Sequence, residues 1–110
     1  MVNFKSGALT ETTLYILCAL AEPLHGYGIM QAVEEMTAGR LNLGPGTLYG
    51  ALQSLQKNGM IKTIGQPEGG RNKKTYHITG DGLIILKSER ERINELSRNL
   101  AKALGEVQHE

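Results

Sequence analysis

Apolar residues recur at helical spacing in four stretches of the chain and occupy two short extended runs. Thr10 and Thr13 precede the dense apolar run Leu14, Ile16, Leu17, Cys18, Leu20 and Ala21, which predicts a first helix over about Thr10–Ala21. Glu22-Pro23 ends it, because a residue before proline avoids the helical region. A helix apolar around most of its circumference belongs at the centre of a domain, so Cys18 is expected in the core. After a turn at Pro23–Gly26, the spacing of Ile29, Ala32, Val33 and Met36 predicts a second helix. Gly39 then closes it as a C-terminal glycine. Pro45, well placed in a first turn, opens a third helix that runs to Asn58 and stops at Gly59. The extended runs Met60–Gly65 and Lys74–Ile78 flank the turn-rich QPEGGRNK and read as a hairpin. Thr79 caps a final helix that continues to about Gly105.

The third helix, within LGPGTLYGALQSLQKNGMI, carries two glycines, each costing about 1 kcal/mol against alanine in a helix interior. Their placement explains them. With about 100° between successive residues, Leu48, Leu52 and Leu55 share one face, and Gly46, Gly50, Gln53 and Lys57 lie opposite. Tyr49 sits on the shoulder. The glycines therefore thin an outward stripe, and the core keeps its leucines. Clearance on a helix face that also carries an amide and a lysine suits close approach to DNA, where glutamine can pair with a base edge.

The order helix, helix, helix, hairpin, helix predicts a mostly helical α+β fold: a winged helix-turn-helix with a long C-terminal dimerisation helix added. The expected division is residues 1–79 for DNA binding and 80–110 for dimerisation. At 110 residues the chain supports a single modest core. Net charge is only +1, but its distribution is uneven. Residues 1–78 hold seven basic side chains against five acidic ones, and three of the seven fall within Arg71–Lys74. Clustering of this kind matters to a phosphate backbone.

The segments HGYGIMQAVEEM, LGPGTLYGALQSLQKNGMI and GGRNKKTYHITGDG, in that order, resemble the phenolic-acid-decarboxylase-regulator (PadR) family of bacterial transcription factors over roughly Leu14–Leu86. The resemblance implies a winged helix-turn-helix that dimerises through its C-terminal helix and usually represses transcription. It places the second helix's Gly-Tyr pair at Gly26-Tyr27 and the recognition-helix pattern at Pro45 to Tyr49. The basic wing falls at Gly69 to Lys74, followed by Tyr76, and the helix start at Thr79 to Gly82. The short tail matches the compact branch of the family. Gly44 stands where the family often has a serine cap, and Gly50 where proline or another residue is common.

Expected DNA-facing residues are Gly46, Thr47, Tyr49, Gly50, Gln53 and Lys57 on the third helix, with Arg71, Asn72, Lys73 and Lys74 on the wing. Double-stranded DNA is the expected partner. In the last helix Leu86, Ile93, Leu100 and Val107 repeat every seven residues, with Leu83 and Leu104 at the second seam spacing. These six are the expected homodimer interface, giving two recognition helices for a pseudo-palindromic site.

No catalytic constellation stands out, so an enzyme is not expected. His25, His77 and His109 lack metal-ligand spacing, and neither metal nor cofactor is expected. The glycines of GPGTLYG precede no phosphate-loop lysine. No stretch is long and apolar enough for a membrane span, and MVNFKSG lacks the pattern of a secretory signal. With one cysteine the expectation is the cytoplasm. A small hydrophobic effector bound in a dimer cavity is the rival functional reading. The absence of tryptophan and a single phenylalanine count against an aromatic sandwich there.

Overall fold

The computed structural model describes residues 9–65 and 74–106. Helix α1 (Glu11–Ala19) begins where the Thr10 hydroxyl accepts the Thr13 N–H at 3.1 Å. It ends two residues earlier than the apolar run suggests. The Ala21 and Glu22 N–H groups tighten onto the carbonyls three residues back, and the Leu20 carbonyl accepts the Ile78 N–H at 2.9 Å. The last carbonyl of the turn is thereby given to the sheet.

Within the stretch read as a turn, Leu24–His25 forms a two-residue strand, β1. It pairs antiparallel with β3 (Thr75–Ile78), which also pairs with β2 (Ile61–Ile64), giving the order β1-β3-β2. Helix α2 (Gly26–Met36) follows, with the His25 Nδ1 accepting the Gly28 N–H as its N-cap. Helix α3 (Pro45–Lys57) and the long α4 (Gly80–Ala103) complete the fold. This is the mostly helical α+β winged-helix arrangement that the residue pattern predicts, with a third strand that the pattern does not reveal.

The core gathers Ile16, Leu17 and Leu20 of α1, Ile29 and Val33 of α2, and Leu48, Leu52 and Leu55 of α3 over Met60, Ile61, Tyr76 and Ile78. Cys18 is not among them. Its side chain is exposed on the opposite side of α1, beside α4, so α1 is buried on one face only.

Three helices close with paired backbone bonds from the two residues after the cap. For α3 these run from Gly59 and Met60, and for α4 from Gly105 and Glu106. At the end of α2 the left-handed residue after the cap is Ala38, with φ 52°, and Gly39 occupies the next position. Gly39 thus takes part in the closure, one step later than a closing glycine stands.

The start of α4 is tied to the end of α3. The Thr79 N–H donates to the Met60 carbonyl at 2.9 Å and its hydroxyl donates to the Gly59 carbonyl at 2.6 Å, while the same hydroxyl accepts the Gly82 N–H. Gly82 is obligatory: a Cβ there would collide with the Met60 carbonyl and the Ile78 side chain.

Candidate nucleic-acid interface

Helix α3 turns its two faces as the spacing requires. Leu48, Leu52 and Leu55 are buried, whereas Gly46, Thr47, Tyr49, Gly50, Gln53 and Lys57 are all exposed. Among the described residues, a Cβ built on Gly46 or Gly50 meets no atom within 4 Å beyond its own stretch of helix. Neither glycine is there to make room for the protein's own packing. The N-cap is Gly44, with no side chain to accept a first-turn N–H, and Pro45 supplies no N–H of its own. Amides left this way at a helix N-terminus favour a negatively charged partner. Lys57 ends the helix, where a cation also offsets the helix dipole.

Lys62 is exposed on β2, opposite His77 in the ladder, and Lys74 is exposed just before β3. A cation thus lies on β2 and another at the entrance to β3. Arg71, Asn72 and Lys73 lie outside the described residues, as does Val107. Among the described residues the ion pairs are Arg40–Glu11 and Arg92–Glu89, and neither includes Lys57, Lys62 or Lys74.

Tyr49 is both exposed and in contact with the rest of the fold. Its ring is half-exposed, yet its hydroxyl end fills the space where a Gly26 Cβ would stand. Burial pushes the Tyr76 phenol pKa up, and the neighbouring Tyr49 phenol adds to that shift. Sequence reasoning could not find this contact, because Gly26 and Tyr49 belong to different helices. Tyr27, the other half of the Gly26-Tyr27 pair, is well exposed at the start of α2.

On α4 the expected seam is uneven. Leu83, Ile93, Leu100 and Leu104 are exposed, whereas Leu86 is half-buried against the core. Leu96, missed by the seven-residue count, is exposed as well. Its spacing of three from Ile93 and four from Leu100 was the available signal. Glu89 lies among these apolar residues with 1% of its surface exposed, and its Oε1 accepts two bonds from Arg92, at 2.6 and 3.2 Å. An open groove of about 640 Å³ runs between α1 and α4, lined by Leu14, Cys18, Leu83, Leu86 and Ile93 with Lys87, Glu89, Arg90 and Asn94. Desolvation in this groove pushes the Cys18 thiol pKa up, so the thiol stays protonated and poorly nucleophilic. Among the described residues no group of three His, Cys, Asp or Glu side chains is arranged to hold a metal, and no helix is long and apolar enough to cross a membrane.

A three-helix core, a small antiparallel sheet and a third helix with a thinned outer face define a winged helix-turn-helix. The chain belongs to the PadR-like family of transcriptional regulators, whose profile matches residues 13–88. It is 34% identical over 97 residues to the transcriptional regulator YqjI of Escherichia coli, covering 86% of this chain and 45% of that protein. It is 38% identical over 88 residues to an uncharacterized 37.1 kDa protein in transposon TN4556 of Streptomyces fradiae, covering 79% of this chain and 24% of that protein. The chain thus spans less than half the length of these two relatives. The crystal structure of a PadR family transcriptional regulator from Eggerthella lenta superposes with a TM-score of 0.75 at 22% identity, over 84% of this chain and 80% of that one, a likeness of fold.

Proposed function

We propose that this chain is a homodimeric, sequence-specific DNA-binding repressor. Its unit of residues 1–79 reads the operator, and its helix of residues 80–110 joins two copies. The observation that carries this reading is the outer stripe of α3, where two glycines without internal neighbours lie beside Gln53 and Lys57. Gln53, helped by Thr47, reads base edges. Lys57, Tyr49, Lys74 and the Arg71–Lys73 segment hold phosphates, while Gly46 and Gly50 let the helix backbone approach.

The dimer reading rests on the exposed line Leu83, Ile93, Leu96, Leu100 and Leu104. Burying five such half-exposed side chains in each of two copies contributes about 10 kcal/mol in all, enough to offset a typical association cost. The rival reading, a sensor of small hydrophobic effectors, has one observation in its favour: the apolar groove between α1 and α4. In a dimer such an effector would act by binding one arrangement of the two winged units better than another, which releases the operator.

Mobility-shift titrations with the chain's own upstream DNA test the proposal. Arg71→Ala with Lys73→Ala should weaken binding to every sequence and reduce its salt slope, while Gln53→Ala relaxes base preference. Equal affinity for operator and random duplex would refute sequence-specific binding.

A further inference from the structure

We propose that Gly26 and Tyr49 form a notch and peg that set the outer face of the recognition helix, a positioning role that rests on the DNA-binding reading above. Gly26, the first residue of α2, is buried, and the place of its absent Cβ is taken by the Tyr49 hydroxyl, with the ring Cζ 3.0 Å away. Leu48 Cδ2, at 3.6 Å, is an ordinary neighbour. Tyr49 lies in sequence between buried Leu48 and open Gly50, so its ring stands on the boundary between core and outer stripe. Half-exposed as it is, the ring is not fixed by burial as Leu48 and Leu52 are. The notch is what holds it in one orientation.

The notch also lies at a junction. His25, the cap of α2, precedes Gly26 and pairs with Thr75 of β3, the wing strand that carries Tyr76. The peg therefore bears on a place where α2, α3 and β3 come together.

Gly26 differs from Gly82 in what opposes it. A Cβ at residue 82 would strike a backbone carbonyl, which cannot yield, whereas a Cβ at residue 26 would strike the far end of a half-exposed side chain. In Gly26→Ala the ring swings out and the fold persists. What is lost is the setting of Tyr49 on the surface offered to DNA.

The test is a double-mutant cycle in the full chain, read by mobility shift on the operator, by melting temperature, and by the nuclear Overhauser contact between the Tyr49 ring and the Gly26 Hα. Gly26→Ala should melt near the wild type, lose that contact, and bind the operator at least about tenfold more weakly. In a Tyr49→Ala background, adding Gly26→Ala should change affinity by less than about twofold. Unchanged binding by Gly26→Ala, or an equal loss with and without the Tyr49 ring, overturns the proposal. Should Gly26→Ala unfold the chain, recovery on adding Tyr49→Ala upholds the contact, and failure to recover overturns it. A wild-type chain that binds no operator strikes the DNA-binding reading itself; a binding wild type with an indifferent Gly26→Ala strikes only the notch.

Discussion

Gly50 separates the two explanations of a glycine in a helix, internal packing and external clearance. It is the sixth of the thirteen residues of α3, and a Cβ there meets nothing among the described residues within 4 Å beyond its own stretch of helix. Replacing it with alanine removes backbone freedom from the unfolded chain and buries no new atom. The gain should be about 1 kcal/mol, the ordinary difference between these residues in a helix interior. For a domain of this size that corresponds to a rise of about 4–8 °C in Tm, visible by circular dichroism and as a higher urea midpoint at unchanged slope. Gly50→Leu should gain nearly as much, since leucine is also a good helix former. Operator affinity should move the other way. Gly50→Ala costs a few-fold if DNA backbone lies against the stripe, and Gly50→Leu abolishes binding. A Gly50→Leu chain that is more stable and still binds its operator like the wild type would refute the clearance argument. A fall in Tm would refute the statement that the glycine has no internal role.

Other perturbations follow from the same geometry. Ala38→Gly should stabilise the chain by up to about 1 kcal/mol, because alanine at φ 52° carries a left-handed strain that glycine lacks; thermal melting checks it. Leu100→Asp should leave the helix and the monomer fold intact, since Leu100 is exposed, and weaken self-association by at least about tenfold in sedimentation equilibrium. The Glu11 carboxyl, hydrogen-bonded by the Arg40 guanidinium, titrates below its ordinary value of 4.5. Its folded value is thus lower than its unfolded one, so the pair's contribution is present above about pH 4.5 and is lost as pH falls through the folded value. Arg40→Ala should flatten that part of an acid denaturation curve.

Periodicity carried most of the fold into the sequence. Leu48, Leu52 and Leu55 announce a buried face because only a helix places such spacing on one side. Thr79 announces α4 because a hydroxyl there can accept an N–H from the first turn, as the Gly82 bond confirms. What stayed hidden depends on partners distant in sequence. Two residues are too few to show alternation, so β1 is defined only by its pairing with Thr75 and Tyr76. Cys18 follows an apolar run, yet its position faces α4 across an open groove, and composition alone cannot say which side of a helix is covered. Glu89 sits in an apolar stripe because Arg92, one turn on, neutralises it. Of the interface, the outward stripe of α3 was legible from the helix wheel, but the seating of Tyr49 against Gly26 was not.

The bonds at Thr79 leave almost no play where α4 meets the winged unit. The 24-residue helix is about 36 Å long and is anchored at its root by the Met60 and Gly59 carbonyls, with Gly82 pressed against the first of them. Such an element behaves as a lever welded to the frame it turns. A tilt of about 5° imposed along it displaces its far end by about 3 Å relative to the root. Held from the far end, it swings the root, and with it the end of α3, through the same angle. A rotation imposed on α4 from its far end would therefore reach the end of α3 through the Thr79 bonds to Met60 and Gly59.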